Sequence, residues 1–327
     1  MTRLTQTLIS EARQRIAPHV FQTPVWRWQD PGVTGWPDAG EAWVKLELWQ
    51  RTGTFKARGA LNSVLALPEM QRAAGVVAVS AGNHAIATAY AARVAGCHAH
   101  VVMLAHSSPR RIEACRALGA EVELAPDVHA AFARVADIER EQGRVLIHPF
   151  EGLAVAAGTA TLGEEFLAQV KGLDAIIVPI GGGGLCAGVA TAVKLHAPAC
   201  RVIGVEPAGA DTMHRSFAAG RPQGIDRVET IADSLGAPFA LPVTFALCHE
   251  HVDELVKVSD KQLREAMRLI LASLSLAVEP ACAASTAAMV GPLAGRLAGQ
   301  RVGLIFCGSN IDLEGYRKLL AGGEPGD

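Results

Sequence analysis

The chain has 327 residues, half of them hydrophobic and 19% charged, with a formal net charge of −2. This length exceeds the usual domain of about 100 to 200 residues and points to two α/β domains. The composition excludes a disordered chain, and the near-neutral charge, with no block of like charges, excludes a nucleic-acid surface. No apolar run reaches the roughly 18 residues that span a bilayer and the N-terminus lacks a long apolar segment, so a soluble, cytoplasmic protein with no membrane contact is expected. Seven cysteines, an odd number without a CxxC pair, read as reduced thiols, most of them in the core.

Residues 1–40 hold one helix, from about Thr5 to Ile16, and a Pro/Gly-rich connection through Pro31 and Pro37. Trp43 to Leu48 alternates as a strand and leads into a helix beyond Thr54 that Pro68 ends. A regular alternation follows, with strands at Val76–Val79, His100–Leu104, Glu121–Leu124 and Arg144–Ile147. Helices over Ala85–Val94, Pro109–Leu118 and about His129–Gln142 separate them. This is a compact parallel unit of about 75 residues, small enough to move as a body. A second series starts with a helix near Gly158–Val170, strand Ala175–Ile180, helix Leu185–His196, strand Val202–Val205 and a helix after Asp211. It closes with the apolar run Leu255–Val258, helices Lys261–Leu274 and Cys282–Leu293, and strand Val302–Phe306. The strand and helix of the first segment should join this second sheet. The expected fold is therefore α/β with two parallel-sheet domains, the smaller (residues 73–151) inserted in the larger (1–72 and 152–327).

Four motifs lie where strands end, the place where parallel sheets bind ligands. In Thr52-Gly53-Thr54-Phe55-Lys56-Ala57-Arg58-Gly59, Thr54 caps a helix whose first turn carries Lys56 beside an aromatic ring. The positive helix end and apolar neighbours disfavour the ammonium form, and a neutral amine is what carbonyl condensation needs. Taken alone, Lys56 also reads as an ordinary lysine reaching to water. Gly181-Gly182-Gly183-Gly184-Leu185 puts four amides without side chains at the start of a helix, an anion cup with no cationic side chain and no GK[ST], suited to a small phosphate monoester. A tight strand-to-helix turn is the plainer explanation, at a larger entropic cost than a turn requires. Ser80-Ala81-Gly82-Asn83-His84 offers a second cup suited to a carboxylate, or an ordinary helix cap. Cys307-Gly308-Ser309-Asn310 supplies a weak S–H donor, or a core thiol. His84 and His148 lack metal-ligand spacing, and no GxSxG elbow appears.

A nucleophilic lysine, a charge-free phosphate cup, a carboxylate cup and a neutral donor together describe pyridoxal phosphate with an amino acid substrate. The ordered set TGTFKARGA, SAGNH, GGGGL and CGSN resembles the serine/threonine dehydratases of the tryptophan-synthase-β fold, the fold type II pyridoxal phosphate enzymes. Stretches between the motifs are alike too: Lys45-Leu46-Glu47, Cys115 to Val122, His148-Pro149-Phe150, Val205-Glu206-Pro207 and Val278-Glu279-Pro280. The resemblance implies that Lys56 joins the cofactor and later removes the α-proton, and that Phe55 lies against the cofactor ring. Asn83 would bond the phenolic oxygen, with Ser80, Ala81, Gly82 and His84 around the substrate carboxylate. Gly181, Gly182, Gly183, Gly184 and Leu185 would hold the phosphate, and Cys307 the pyridine nitrogen. It also implies that the small unit closes over substrate, and that a monovalent cation, K⁺, sits at Glu206, the Ala210 carbonyl and Thr212.

Relatives of that family often carry glycine at the position of Ser234 and glutamine at that of Ala157, so the preferred 3-hydroxy amino acid stays open. The reaction implied is loss of water from an L-3-hydroxy amino acid, giving a 2-oxo acid and ammonia, with the cofactor phosphate protonating the leaving hydroxide. A dehydratase for a bulkier or acidic substrate, a racemase and a β-replacement synthase compete on the same fold, and a non-catalytic phosphometabolite binder competes from outside it. Racemases of this family carry serine where this chain has Ala81. The resemblance further implies a homodimer. Because the chain stops soon after Leu320, a catabolic enzyme without a C-terminal regulatory domain is expected.

Overall fold

A computed structural model describes residues 3–30, 33, 35–37 and 40–322, so Pro31 of the expected connection and Met1 and Thr2 at the N-terminus lie outside the described residues. In chain order the elements begin with α1 (Gln6–Ile16), β1 (Val25–Trp28), β2 (Glu41–Lys45), α2 (Lys56–Leu65), α3 (Glu69–Ala74), β3 (Val76–Val79) and α4 (Asn83–Ala95). They continue with β4 (Ala99–Leu104), α5 (Pro109–Ala117), β5 (Glu121–Ala125), α6 (Val128–Gln142), β6 (Val145–Leu146), α7 (Leu153–Gln169), β7 (Ala175–Pro179) and α8 (Gly184–His196). The remainder is β8 (Arg201–Pro207), α9 (Thr212–Ala219), α10 (Pro242–His251), β9 (Glu254–Val258), α11 (Asp260–Leu274), α12 (Pro280–Val290), β10 (Arg301–Ile305) and α13 (Leu313–Ala321). No helix among the described residues is long and apolar enough to cross a membrane.

Local chemistry accounts for the boundaries. Thr5 accepts the Leu8 amide at the start of α1, Ser259 and Gln262 form a capping box on α11, and Gly96 ends α4 in the left-handed conformation at φ +66°. All residues of β3 and β7 are buried, as expected of parallel strands covered on both faces.

The strands form two sheets, one of six strands in the order β1-β2-β10-β7-β8-β9 and one of four in the order β5-β4-β3-β6. Every pairing is parallel except β1 with β2. The first-segment strand joins the larger sheet as expected, Val44 lying opposite Leu304. It ends at Lys45 rather than Leu48, because Glu47–Trp49 winds into a 3₁₀ turn. β1, α3, α10 and α13 were not foreseen.

Helix α2 packs on both units, not on the larger alone. Ala60, Leu61 and Val64 pack in one cluster with Val76, Ala78, Ala85 and Val101 of the smaller sheet and its helices. Its opposite side meets α7 almost backbone to backbone, since a Cβ on Gly158 would stand 2.8 Å from the Gly59 Cα. A buried charge network anchors its first turn. Arg58 donates to both oxygens of Glu47 at 2.9 and 2.8 Å and to Glu165 at 3.0 Å. Lys45 donates to Glu165, to the Thr23 carbonyl at 2.6 Å and to Gln169 at 2.7 Å.

Candidate active site

The carboxyl ends of β2, β3, β7 and β10 bring the four motifs round one cleft. Phe55, Lys56, Asn83, Gly181 to Gly184, Leu185 and Cys307 all line it. Helix α2 starts at Lys56 with Phe55 in the cap position, and the Thr54 hydroxyl still accepts the Lys56 amide at 3.2 Å. The Lys56 amine donates to the Pro149 carbonyl at 2.7 Å and stands 5.2 Å from the Phe55 ring centroid. Burial lowers its pKa to about 8, against the opposing pull of Cys307 and Glu279.

Each glycine of the cup has a packing reason as well as a binding one. A Cβ on Gly182 would lie 2.2 Å from the Phe150 ring and one on Gly184 2.6 Å from the Phe150 carbonyl. One on Gly181 would lie 3.0 Å from the Leu235 Cα, and Gly183, at φ +92°, caps α8. The amides of the first turn of α8 therefore open onto a cleft whose lining carries one basic side chain, Lys56. At the other end the Cys307 thiol is buried beside Cys282, and that neighbour together with burial pushes its pKa well up, leaving a neutral donor. A cradle of backbone amides, a neutral thiol and an amine of lowered pKa fit pyridoxal phosphate.

Asn83 is held from both sides. Its Oδ1 accepts from Asn310 Nδ2 at 2.9 Å, and its Nδ2 donates to Glu279 Oε1 at 2.7 Å and lies 3.3 Å from the Ser234 hydroxyl. Of the other residues expected at the carboxylate, Ser80 accepts the Gly82 amide at 3.1 Å and Ala81 is half-buried. His84 turns away from the main cleft. Its Nε2 donates to the Ile147 carbonyl at 2.7 Å and its ring lines a second, smaller pocket beside Lys56. Burial, then Lys56, lower its pKa to about 3, so the ring is neutral.

The structure adds two residues to the site. Glu279, 2% exposed, projects into the cleft at the start of α12, where Gly308 leaves room for it, since a Cβ there would lie 2.4 Å from Glu279 Oε1. Burial raises its pKa to about 7, Asp233 adds to the rise, and Arg111, the Asn83 hydrogen bond and Lys56 oppose it. Phe150 walls the glycine cup. Val278-Glu279-Pro280 and His148-Pro149-Phe150 were the available signals, and sequence reasoning used them only as points of likeness.

At the expected cation position, Glu206 is buried and accepts from the Met213 amide at 2.7 Å, the His214 amide at 2.9 Å and the His214 ring at 2.6 Å. The Thr212 hydroxyl donates to the Ala237 carbonyl at 2.7 Å and keeps its lone pairs. The His214 ring therefore lies against the carboxylate that a cation would use.

A family model described as pyridoxal-phosphate dependent enzyme matches residues 16–308. Phenylserine dehydratase of Ralstonia pickettii is 52% identical, the match covering 98% of this chain and 99% of that protein. β-Hydroxyaspartate dehydratase of Paracoccus denitrificans is 37% identical over 93% of this chain and 95% of that protein. Among solved structures, maize serine racemase superposes with a TM-score of 0.88 at 36% identity, covering 94% of this chain and 95% of that one.

Proposed function

The chain belongs to the pyridoxal-phosphate dependent enzyme family, and we propose that it removes water from an L-3-hydroxy amino acid with an uncharged side chain, leaving an enamine that water then hydrolyses to a 2-oxo acid and ammonia. One observation carries the choice of side chain. The cleft lining offers Lys56 as its one basic group, and Arg111 at its edge is already paired with Asp233 and Glu279. A second substrate carboxylate would face Glu279 without a free cation, whereas an aromatic or aliphatic group needs none. The name of the 52% identical relative, phenylserine dehydratase, supports the same reading.

Pyridoxal phosphate in this cleft supplies the electron sink for bonds at the amino acid's α-carbon. Gly181 to Gly184 and Leu185 would hold its phosphate through backbone amides, Cys307 its ring nitrogen, and Asn83 its phenolic oxygen. Lys56, with its lowered pKa, is the nucleophile and then the base that takes the α-proton. Cys307, a neutral thiol, would supply no negative charge to keep the ring nitrogen protonated, so the bound cofactor would be a moderate electron sink suited to prompt loss of the β-hydroxyl. Ser80, Ala81 and Gly82 would receive the substrate carboxylate as residues 73–151 close on 1–72 and 152–327. The reading extends to a cytoplasmic homodimer, and to a K⁺ ion at Glu206, the Ala210 carbonyl and Thr212 once the His214 ring turns aside.

The experiment scores phenylserine, threonine, serine and 3-hydroxyaspartate for ammonia and 2-oxo acid, with and without K⁺, beside a Lys56→Ala variant. Turnover of the uncharged substrates, enhanced by K⁺ and abolished in the variant, is expected. Preference for 3-hydroxyaspartate would refute the side-chain assignment, indifference to K⁺ the cation, and near-normal turnover in Lys56→Ala the whole reading. Light scattering of the holoenzyme tests the dimer, and fractionation of the source cells tests the compartment.

A further inference from the structure

The first turn of α5 belongs in sequence to the smaller sheet, yet its polar groups contact the larger unit. Ser108 donates to Asp312 at 3.1 Å and Arg110 to the Ile311 carbonyl at 3.3 Å. Arg111 goes deepest, its side chain 12% exposed. Its Nε donates to the Asn310 carbonyl at 3.1 Å, one Nη to Asp233 at 2.7 Å and the other to Glu279 at 3.4 Å. Gly82 makes the room, because a Cβ there would stand 2.7 Å from the Arg111 guanidinium.

Glu279 and Asn310 make the two shorter bonds to the Asn83 amide, beside the longer one to Ser234, and Arg111 touches both. Ionised, Glu279 only accepts, and Asn83 must present Nδ2 to it. Protonated, Glu279 can donate and competes for Oδ1 with Asn310, whose Nδ2 is held as a donor by the Thr52 carbonyl. The charge on Glu279 thus decides whether both anchors of Asn83 favour the same orientation. We propose that Arg111 is a positioning residue, which biases Glu279 toward the accepting carboxylate and thereby sets the Asn83 amide when the smaller unit docks on the larger.

The groups facing Glu279 are Arg111 from α5, Lys56 from α2, Asn83 from α4, Asp233 from the turn before α10, and the Cys307 thiol after β10. Arg111, Lys56 and the Asn83 hydrogen bond favour the carboxylate, while burial and Asp233 favour the acid. Burial and Asp233 already outweigh them; without Arg111 they do so by more, and Glu279 takes up a proton at a higher pH than before.

This inference rests on the proposed function, and the test separates the two. Holoenzyme of Arg111→Met and Arg111→Lys is compared with wild type in the pH profile of kcat and in the pH titration of the cofactor's visible absorption. In Arg111→Met the acid limb of both should move up by about one unit or more, the effect of a lost opposite charge at hydrogen-bond distance. Arg111→Lys should restore most of the shift, and Arg111→Met placed on Glu279→Gln should add none. Arg111→Gln removes the same charge with hydrogen bonding retained, so failure of the Met variant to fold leaves the comparison intact. A uniform loss of kcat with an unmoved acid limb and unmoved spectrum would overturn the inference, while a wild type with neither visible band nor turnover would overturn the proposed function.

Discussion

Replacing Arg58 by Met should cost about 3–5 kcal/mol of stability, the range for breaking one side of a buried ion pair. Glu47 is fully buried and holds three hydrogen bonds, two from Arg58 and one from the Thr23 hydroxyl. Methionine matches the length of the arginine stem but leaves the carboxylate with the hydroxyl alone and Lys45 as its remaining cation nearby. A typical domain is stable by about 5–15 kcal/mol, so the loss should be plain in urea unfolding followed by circular dichroism. Adding Glu47→Gln removes the stranded charge, and the double variant should recover a good part of the loss, since neutral replacements of buried pairs are often tolerated. A single-variant cost under about 1 kcal/mol, or a double variant less stable than the single one, would refute the view that this network anchors the lysine-bearing helix.

Two further outcomes follow from the site. The neutral His84 ring, with its pKa lowered to about 3, takes no proton in the folded state while an unfolded histidine titrates near 6.5. Its contribution is therefore complete above pH 6.5 and is lost as pH falls toward 3, by up to about 1.4 kcal/mol per pH unit. Urea midpoints from pH 7 to 5 should fall less steeply in His84→Gln, and equal slopes would remove the argument. Ala81 carries a methyl group that cannot exchange a proton, so the wild type should not invert L-serine or L-threonine at Cα, whereas Ala81→Ser should gain some inversion. Chiral analysis of the remaining amino acid decides it, and wild-type inversion at a rate comparable to 2-oxo acid formation would show a second base.

The elements easiest to read from sequence were those with one dominant signal. Val76–Val79 and Ala175–Pro179 are unbroken apolar runs, and both are fully buried strands. Strand β1, Val-Trp-Arg-Trp, gives no clear alternation because it is an antiparallel edge with Trp26 exposed, and α10 has apolar residues all round rather than on one stripe. In the cleft, the residues whose place could be read from a local motif are Lys56, the glycines, Asn83 and Cys307, all of which line it. Glu279 could not be read this way, since its meaning comes from Asn83, 196 positions away, and from Arg111 on another sheet's helix. The packing duty of the glycines was likewise hidden, because Phe150 and Leu235 reach them only through the fold.

Helix α2 works as an axle. Its first turn is pinned to the larger unit by the Arg58 network and the Gly59–Gly158 contact, while Leu61 and Val64 are embedded in the smaller core. A body rocking about such a shaft moves each point in proportion to its distance from the shaft. Were residues 73–151 to close as proposed, Lys56, at the pinned end, would travel least and the Ser80–His84 loop further. The loop proposed to gather the carboxylate would then swing while the proposed nucleophile kept its aim.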